Sequence, residues 1–208
     1  AQDLSEGRYV GMGWLERNDL LNWIDLIVSS DPDARILLYG GSMGAATVMM
    51  TTGDPRLPRN VVSAIVDSGY TSARMVFIDN LRHSSHLPKP LAAVCVDAAG
   101  LFCKHYAGYD FSEATCLQSL RHTVIPMLFI HGDEDDYTYA SDCNSFAQRI
   151  AATGTPAEFL LLAGARHKFD SDNTRRVTVS TVAKTREGCP LEFDVDARTY
   201  RDRRSDAV

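Results

Sequence analysis

Residues 35–50, "RILLYGGSMGAATVMM", hold one serine among three glycines at the end of an apolar run. Four apolar or aromatic residues (36–39) lead directly into Gly40-Gly41-Ser42-Met43-Gly44, and small or apolar residues continue to position 50. An apolar run, a glycine-rich turn and a run of small residues predict a buried strand, a tight turn and a helix. Ser42 would then occupy a nucleophile elbow, the strand-to-helix turn that exposes a serine hydroxyl.

The offsets of the glycines support this interpretation. A serine at such a turn has a strained backbone, and side chains two residues before or after it would collide with the neighbouring strand and helix. We therefore expect Gly40 and Gly44 to relieve crowding. The helix that follows would direct its free N–H groups at the same place, where a negatively charged oxygen could be stabilised.

A serine hydroxyl is a weak nucleophile without a base, so a histidine and a carboxylate should follow. Three aspartates come directly after the apolar run at 124–132: Asp133, Asp135 and Asp136. His167 follows the last apolar run, 157–164. Because the carboxyl ends of parallel strands lie at one edge of a sheet, these side chains could converge with Ser42.

Other residues compete for these roles. Asp67 also ends a predicted strand and is the rival candidate for the acid. His131 lies at a strand end and is interpreted as a packed or structural residue. The remaining histidines are interpreted as surface residues: His83, His86, His105 and His122.

Strand and helix patterns alternate along the chain, which predicts a mostly parallel sheet flanked by helices, an α/β fold. The predicted strands are 36–39, 60–67, 124–132 and 157–164, and the predicted helices are 14–29, 45–52, 71–81, 112–121 and 140–152. We expect a core at 1–170 with an insertion at 82–109 that resembles a cap or lid. Residues 171–208 are polar, contain seven arginines and are expected to be poorly ordered.

Composition excludes several classes of protein. The 208 residues are 45% hydrophobic and carry a formal net charge of −6, which argues against nucleic acid as a partner. No segment is long and apolar enough to span a membrane. The five cysteines lack metal-site spacing and are expected to be free thiols, so we predict neither metal nor cofactor and mildly favour a reducing, cytoplasmic compartment.

The chain resembles the α/β-hydrolase superfamily, in particular the bacterial serine hydrolases of the serine-aminopeptidase-like and lysophospholipase-like group. The matching segments are "VGMGWLERNDLLNWI" (10–24), "LYGGSMGAATVMM" (38–50), "VDSGYTSA" (66–73), "AGYDFSEA" (107–114), "PMLFIHGDEDDY" (126–137) and "GARHKF" (164–169). The resemblance implies Ser42 as nucleophile, His167 as base and Met43 as an oxyanion-hole N–H donor. The family pattern H-G-x-x-D falls on His131, Gly132 and Asp135, which implies Asp135 as the acid.

The sequence also departs from this group. Relatives have about eight strands, so we expect the first strands, and the second oxyanion donor that they carry, to be missing from this chain. Thr138-Tyr139 stands where the group has Val-Pro. No closing amphipathic helix is recognisable after His167. The alternative to a cytoplasmic location is a protein tethered outside the cell, which would require a segment upstream of this sequence.

The resemblance implies a serine hydrolase that acts on a small-molecule acyl ester, with an amide or peptide bond as second choice. The apolar residues of the insertion would form the acyl-side wall: Leu87, Leu91, Val94, Leu101 and Phe102. The alternative is a weak or inactive hydrolase, a pseudo-hydrolase. A bare sheet edge would favour pairing, and a homodimer across that edge is a further alternative.

Overall fold

The computed structural model describes residues 6–135, 138, 143–162, 167, 183–184, 190–194 and 199–202. Six helices lie in these ranges: α1 (Glu16–Ser30), α2 (Met43–Thr52), α3 (Ala73–Ser85), α4 (Lys89–Ala107), α5 (Cys116–Leu120) and α6 (Cys143–Ala151). The strands are β1 (Ile36–Gly41), β2 (Val61–Asp67), β3 (Met127–Gly132), β4 (Ala157–Leu162), β5 (Ala183–Lys184), β6 (Pro190–Asp194) and β7 (Thr199–Asp202).

The main sheet contains four parallel strands in the order β1-β2-β3-β4. Every residue of β2 and β3 is buried, whereas β1 and β4 are buried at only some positions. This pattern is expected for a parallel sheet in which helices cover the central strands. The predicted parallel sheet flanked by helices is therefore confirmed, and its strands start and end within a few residues of the predicted bounds.

The main core lies between this sheet and the helices that pack on it. Helix α2 is almost wholly buried, and its Ala45, Ala46 and Met49 have no exposed surface. Small residues allow α2 to approach β1 and β2 closely, which brings the first turn of α2 to the carboxyl end of the sheet. In α1 the buried positions are Leu21 and Ile24, whereas Ile27 is 44% exposed.

Residues 82–109, expected to form an insertion, are largely helical. Helix α3 continues to Ser85, His86 adopts a left-handed conformation, and α4 follows Pro88. Helix α4 packs on α3 through a small cluster that includes Ile78, Ala92 and Val96. Its opposite face exposes Leu91, Val94, Leu101, Phe102 and Tyr106. A cap role for this segment stays a prediction.

The described residues of the polar segment 171–208 form structure that the composition did not predict. Strands β5, β6 and β7 pair as a three-stranded antiparallel sheet. The chain forms strands at these residues, and our expectation that most of 171–208 is poorly ordered stays a prediction. The alternating apolar and polar residues in "PLEFD" (190–194) are the local signal for a strand that the overall polarity concealed.

The thiols of three cysteines are free, as predicted: Cys95 is exposed, Cys103 half-buried and Cys116 buried. Cys189 and the side chain of Cys143 lie outside the described part of the structure.

Candidate active site

Ser42 occupies the sharp turn between β1 and α2, as the glycine pattern predicted. Its φ of 54° and ψ of −116° lie in a region that residues with a side chain rarely adopt, so the turn is strained. The turn is held from two sides: the Ser42 N–H donates to the Asp67 carbonyl at 2.8 Å, and the Ala46 N–H donates to the Ser42 carbonyl at 3.1 Å. The strain is thus maintained by hydrogen bonds to β2 and α2.

The two flanking glycines contribute differently. A Cβ atom added at Gly40 would lie 2.3 Å from the Gly44 carbonyl oxygen and 2.8 Å from the Ala45 nitrogen, so Gly40 permits the close approach of strand and helix. A Cβ at Gly44 would meet no atom of the described residues within 4 Å. Our expectation that Gly44 also relieves crowding is therefore wrong, because position 44 of α2 faces open space.

The Ser42 hydroxyl does not cap the helix that it precedes. A serine at this position usually accepts a hydrogen bond from an N–H of the first helical turn, but Ser42 makes no such bond. Its Oγ lies instead 2.8 Å from Nε2 of His167. The hydroxyl of an otherwise buried serine is thereby directed at an imidazole.

The imidazole in turn contacts a carboxylate. Nδ1 of His167 lies 2.8 Å from Oδ2 of Asp135. One tautomer satisfies both contacts: the Nδ1–H donates to Asp135, and Nε2 accepts the Ser42 hydroxyl proton. The structure therefore brings the predicted residues Ser42, Asp135 and His167 together in one hydrogen-bonded series. The carboxyl group of Asp135 has no exposed surface, and the His167 side chain is 18% exposed.

Further donors surround the Asp135 carboxylate. Thr138 donates its backbone N–H to Oδ1 at 2.8 Å and its hydroxyl to Oδ2 at 2.5 Å. Nε2 of His131 lies 3.2 Å from the same Oδ2. Burial by itself raises the pKa of Asp135, but the hydrogen bonds from His131, His167 and Thr138 outweigh it and hold the pKa well below its usual range. Asp135 is therefore a buried carboxylate that stays ionised.

Asp67, the rival candidate for the acid, has different partners. Its carboxylate accepts hydrogen bonds from the hydroxyls of Tyr39 at 3.1 Å and Ser68 at 2.9 Å. Its backbone carbonyl accepts the N–H of Ser42. These contacts connect β1, β2 and the serine turn, so they support the backbone beneath Ser42.

Met43 is the first residue of α2, immediately after Ser42. The first N–H groups of a helix have no acceptor within that helix and lie at its positive end. This position fits an oxyanion donor, and the role of the Met43 N–H that the resemblance implies stays a prediction.

Thr138 and His131 are the residues whose contribution the sequence did not reveal. In the sequence, Thr138 is a departure from the expected valine, and His131 is a packed residue that begins the H-G-x-x-D pattern. No periodicity or spacing signals a hydroxyl that meets a carboxylate three residues earlier.

The described residues meet neither the requirements of a metal site nor those of a membrane-spanning helix. They contain no group of three histidine, cysteine or acidic side chains that could hold a metal ion. None of the helices in the described part of the chain is both long and apolar enough to cross a membrane.

The prolyl oligopeptidase family matches residues 12–184 of the chain. No curated protein matches it significantly by overall sequence. Among solved structures, an esterase from Pyrococcus furiosus is 20% identical with a TM-score of 0.55, over 79% of this chain and 57% of the esterase. Dipeptidyl peptidase 4 of Porphyromonas gingivalis is 18% identical with a TM-score of 0.55, over 80% of this chain and 22% of the peptidase.

A puromycin-hydrolysing peptidase of Mycobacterium tuberculosis is 19% identical with a TM-score of 0.53, over 76% of this chain and 23% of that protein. The chain thus spans little more than half of the esterase and about a quarter or less of the two peptidases. These similarities show the fold, and the family match extends from the helix before β1 to β5. The chain has the α/β-hydrolase fold and belongs to the prolyl oligopeptidase family.

Proposed function

We propose that this chain hydrolyses a carboxylic ester through a catalytic triad of Ser42, His167 and Asp135. The observation that carries the proposal is the series of two 2.8 Å hydrogen bonds from Ser42 Oγ to His167 and from His167 to Asp135. Each residue follows the carboxyl end of a different parallel strand, which is where active sites assemble in open α/β sheets.

Acylation begins when Ser42 Oγ attacks the carbonyl carbon of the substrate. His167 Nε2 accepts the hydroxyl proton as the Oγ–C bond forms, and the carbonyl oxygen becomes negatively charged. The C–O bond to the leaving group then breaks, and the imidazolium returns the proton to the leaving oxygen. The products of this step are an alcohol and an ester of Ser42.

Deacylation repeats the same chemistry with water. His167 takes a proton from the attacking water, the bond between the acyl carbon and Ser42 Oγ breaks, and the proton passes to Oγ. Asp135 remains ionised throughout, because its pKa is held below its usual range. Its carboxylate keeps the proton on Nδ1 and stabilises the imidazolium.

The transition state needs a donor for the developing oxyanion. The N–H of Met43 at the start of α2 is the proposed donor, assisted by the positive end of that helix. Removal of one oxyanion donor typically lowers turnover by about 10²–10³.

Hydrolysis of an amide or peptide bond is the second candidate function. It is favoured by membership of the prolyl oligopeptidase family and by the peptidases among the similar structures. The same three residues would serve both reactions, with the proton passing to a leaving nitrogen in place of oxygen. A pseudo-hydrolase that keeps the fold without turnover is the outcome that would contradict both.

A fluorophosphonate probe tests the proposal, because it labels only an activated serine. We expect the intact chain to be labelled and the Ser42→Ala and His167→Ala variants to remain unlabelled. p-Nitrophenyl esters and peptide p-nitroanilides then compare ester and amide cleavage. A folded chain that the probe does not modify would overturn the proposal.

A further inference from the structure

Thr138 contacts both oxygens of one buried carboxylate. Its backbone N–H donates to Asp135 Oδ1 at 2.8 Å, and its hydroxyl donates to Oδ2 at 2.5 Å. Two donors from one residue on the two oxygens fix the plane of the carboxylate as well as its position, because rotation of the group would break at least one bond.

The direction of the Thr138 hydroxyl is set by a third residue. His131 is buried at the end of β3, and its Nε2 lies 3.2 Å from Thr138 Oγ1. A hydroxyl carries one proton and two lone pairs. Since the proton is directed at the carboxylate, which can only accept, the oxygen accepts the Nε2–H of His131. The hydroxyl therefore has one orientation that satisfies both neighbours.

The oxygen that Thr138 holds is the oxygen that His167 uses. Nδ1 of His167 lies 2.8 Å from Oδ2 of Asp135, the atom that also accepts the Thr138 hydroxyl. A carboxylate that turned away from Thr138 would take Oδ2 away from the imidazole. The hydroxyl and the imidazole are thus coupled through one atom.

We propose that Thr138 is a positioning residue: its hydroxyl, oriented by His131, holds Oδ2 of Asp135 in line with Nδ1 of His167. This inference rests on the proposed function, since it assigns a part in the same site. The group that the chain resembles usually has valine where this chain has Thr138. A valine there retains the backbone N–H and lacks the donor to Oδ2.

The Thr138→Val variant removes the hydroxyl and keeps the backbone donor. Loss of a hydrogen bond to a charged group should lower kcat for ester hydrolysis by about 10-fold. We expect KM to change less than about 2-fold, because the hydroxyl is directed at the Asp135 carboxylate. Thr138→Ser restores the donor and should recover most of the lost kcat.

Proton NMR of the protein with ¹⁵N-labelled histidine detects the Nδ1 proton of His167 directly, so this measurement does not depend on turnover. The Nδ1 proton shared by His167 and Asp135 should give a strongly deshielded signal that is lost in His167→Ala. In Thr138→Val this signal should shift or broaden, whereas in Thr138→Ser it should remain. A structural role alone would lower thermal stability without moving this proton.

Thr123→Val is the matched control. Thr123 is also buried, and its hydroxyl bonds with Thr52 Oγ1 at 3.0 Å, outside the candidate site. It should lose stability like Thr138→Val but keep kcat and the deshielded proton. If Thr138→Val keeps its kcat and its deshielded proton signal while Ser42 remains reactive, the inference is wrong and the proposed function stands. If Ser42 of the unmodified chain does not react, the proposed function is wrong, and the NMR signal alone decides the inference.

Discussion

Ser42 Oγ and His167 Nε2 lie 2.8 Å apart although 125 residues separate them in the chain. Ser42 follows β1 and His167 follows β4, which are the two outer strands of the main sheet. Three inter-strand spacings of about 4.8 Å put those strand ends about 14 Å apart. His167 nevertheless contacts Ser42, and its Nδ1 also lies 2.8 Å from Oδ2 of Asp135, which follows the intervening strand β3.

The contacts of Asp135 and Asp67 predict that the two carboxylates are not interchangeable. Asp135→Asn should lower kcat by about 10³–10⁴, because an amide favours the wrong tautomer of the imidazole. Asp67→Asn should retain most activity and lose stability, since its carboxylate receives the Tyr39 and Ser68 hydroxyls. Ester hydrolysis and thermal melting of both variants provide the comparison. Loss of activity in Asp67→Asn alone would reverse the assignment of the acid.

Gly40 and Gly44 form a second matched pair. In Gly40→Ala the new methyl group would lie 2.3 Å from the Gly44 carbonyl oxygen, a backbone atom that cannot move without displacing α2. We expect this variant to lose more than about 3 kcal/mol of unfolding free energy or to fail to fold. Gly44→Ala places its methyl group in open space and replaces a helical glycine, so its stability should be unchanged or rise by up to about 1 kcal/mol. Denaturant unfolding distinguishes the two, and equal losses would show that the turn is not the source of the requirement.

The positive φ of Ser42 predicts an unusual order of stability among inactive variants. Ser42→Ala and Ser42→Gly both remove the hydroxyl, but only glycine adopts a φ of 54° and a ψ of −116° without strain. The strain at such a residue is of order 1–3 kcal/mol, and the greater freedom of glycine in the unfolded chain offsets part of it. Ser42→Gly should therefore unfold at higher denaturant concentration than Ser42→Ala. The reverse order would mean that the surrounding hydrogen bonds impose no strain.

Asp135 should make stability depend on pH in the acid range. Its pKa in the folded protein lies below the ordinary value of 3.8, because hydrogen bonds from His131, His167 and Thr138 outweigh the effect of burial. A carboxyl group with a lowered folded-state pKa contributes stability above its unfolded pKa and loses that contribution as pH falls towards the folded value. The unfolding free energy should therefore decline below about pH 4 more steeply in the unmodified chain than in Asp135→Asn. Parallel slopes would show that Asp135 titrates alike in both states.

The parts that the sequence predicted are those with a local signal. The strands β2 and β3 are continuous apolar runs, and Gly40 and Ser42 stand at fixed offsets in one turn. The carboxyl ends of β1, β3 and β4 carry Ser42, Asp135 and His167, so the parallel order of strands was enough to predict that they could meet. Local pattern and topology agree at these positions.

The parts that the sequence did not predict depend on contacts between distant atoms. The open space beside Gly44 depends on which residues face the first turn of α2. The spacing of the glycines does not indicate those residues. The hydroxyl of Thr138 donates to the carboxylate of Asp135, a contact that the residue type alone does not indicate. The strand β6 has an alternation of only a few residues, and it lies in a segment whose overall composition is polar.

The neighbour order of the main sheet has a consequence for synthesis on the ribosome. Each strand from β1 to β4 lies beside its predecessor in the chain, so every new strand can add to an existing edge as it emerges. The elbow is built with the first two strands, whereas the imidazole that would activate its hydroxyl emerges more than a hundred residues later. In a nascent chain the turn at Ser42 would thus be formed while its hydroxyl is still unreactive. Reactivity towards a serine-directed probe would therefore report the completion of folding.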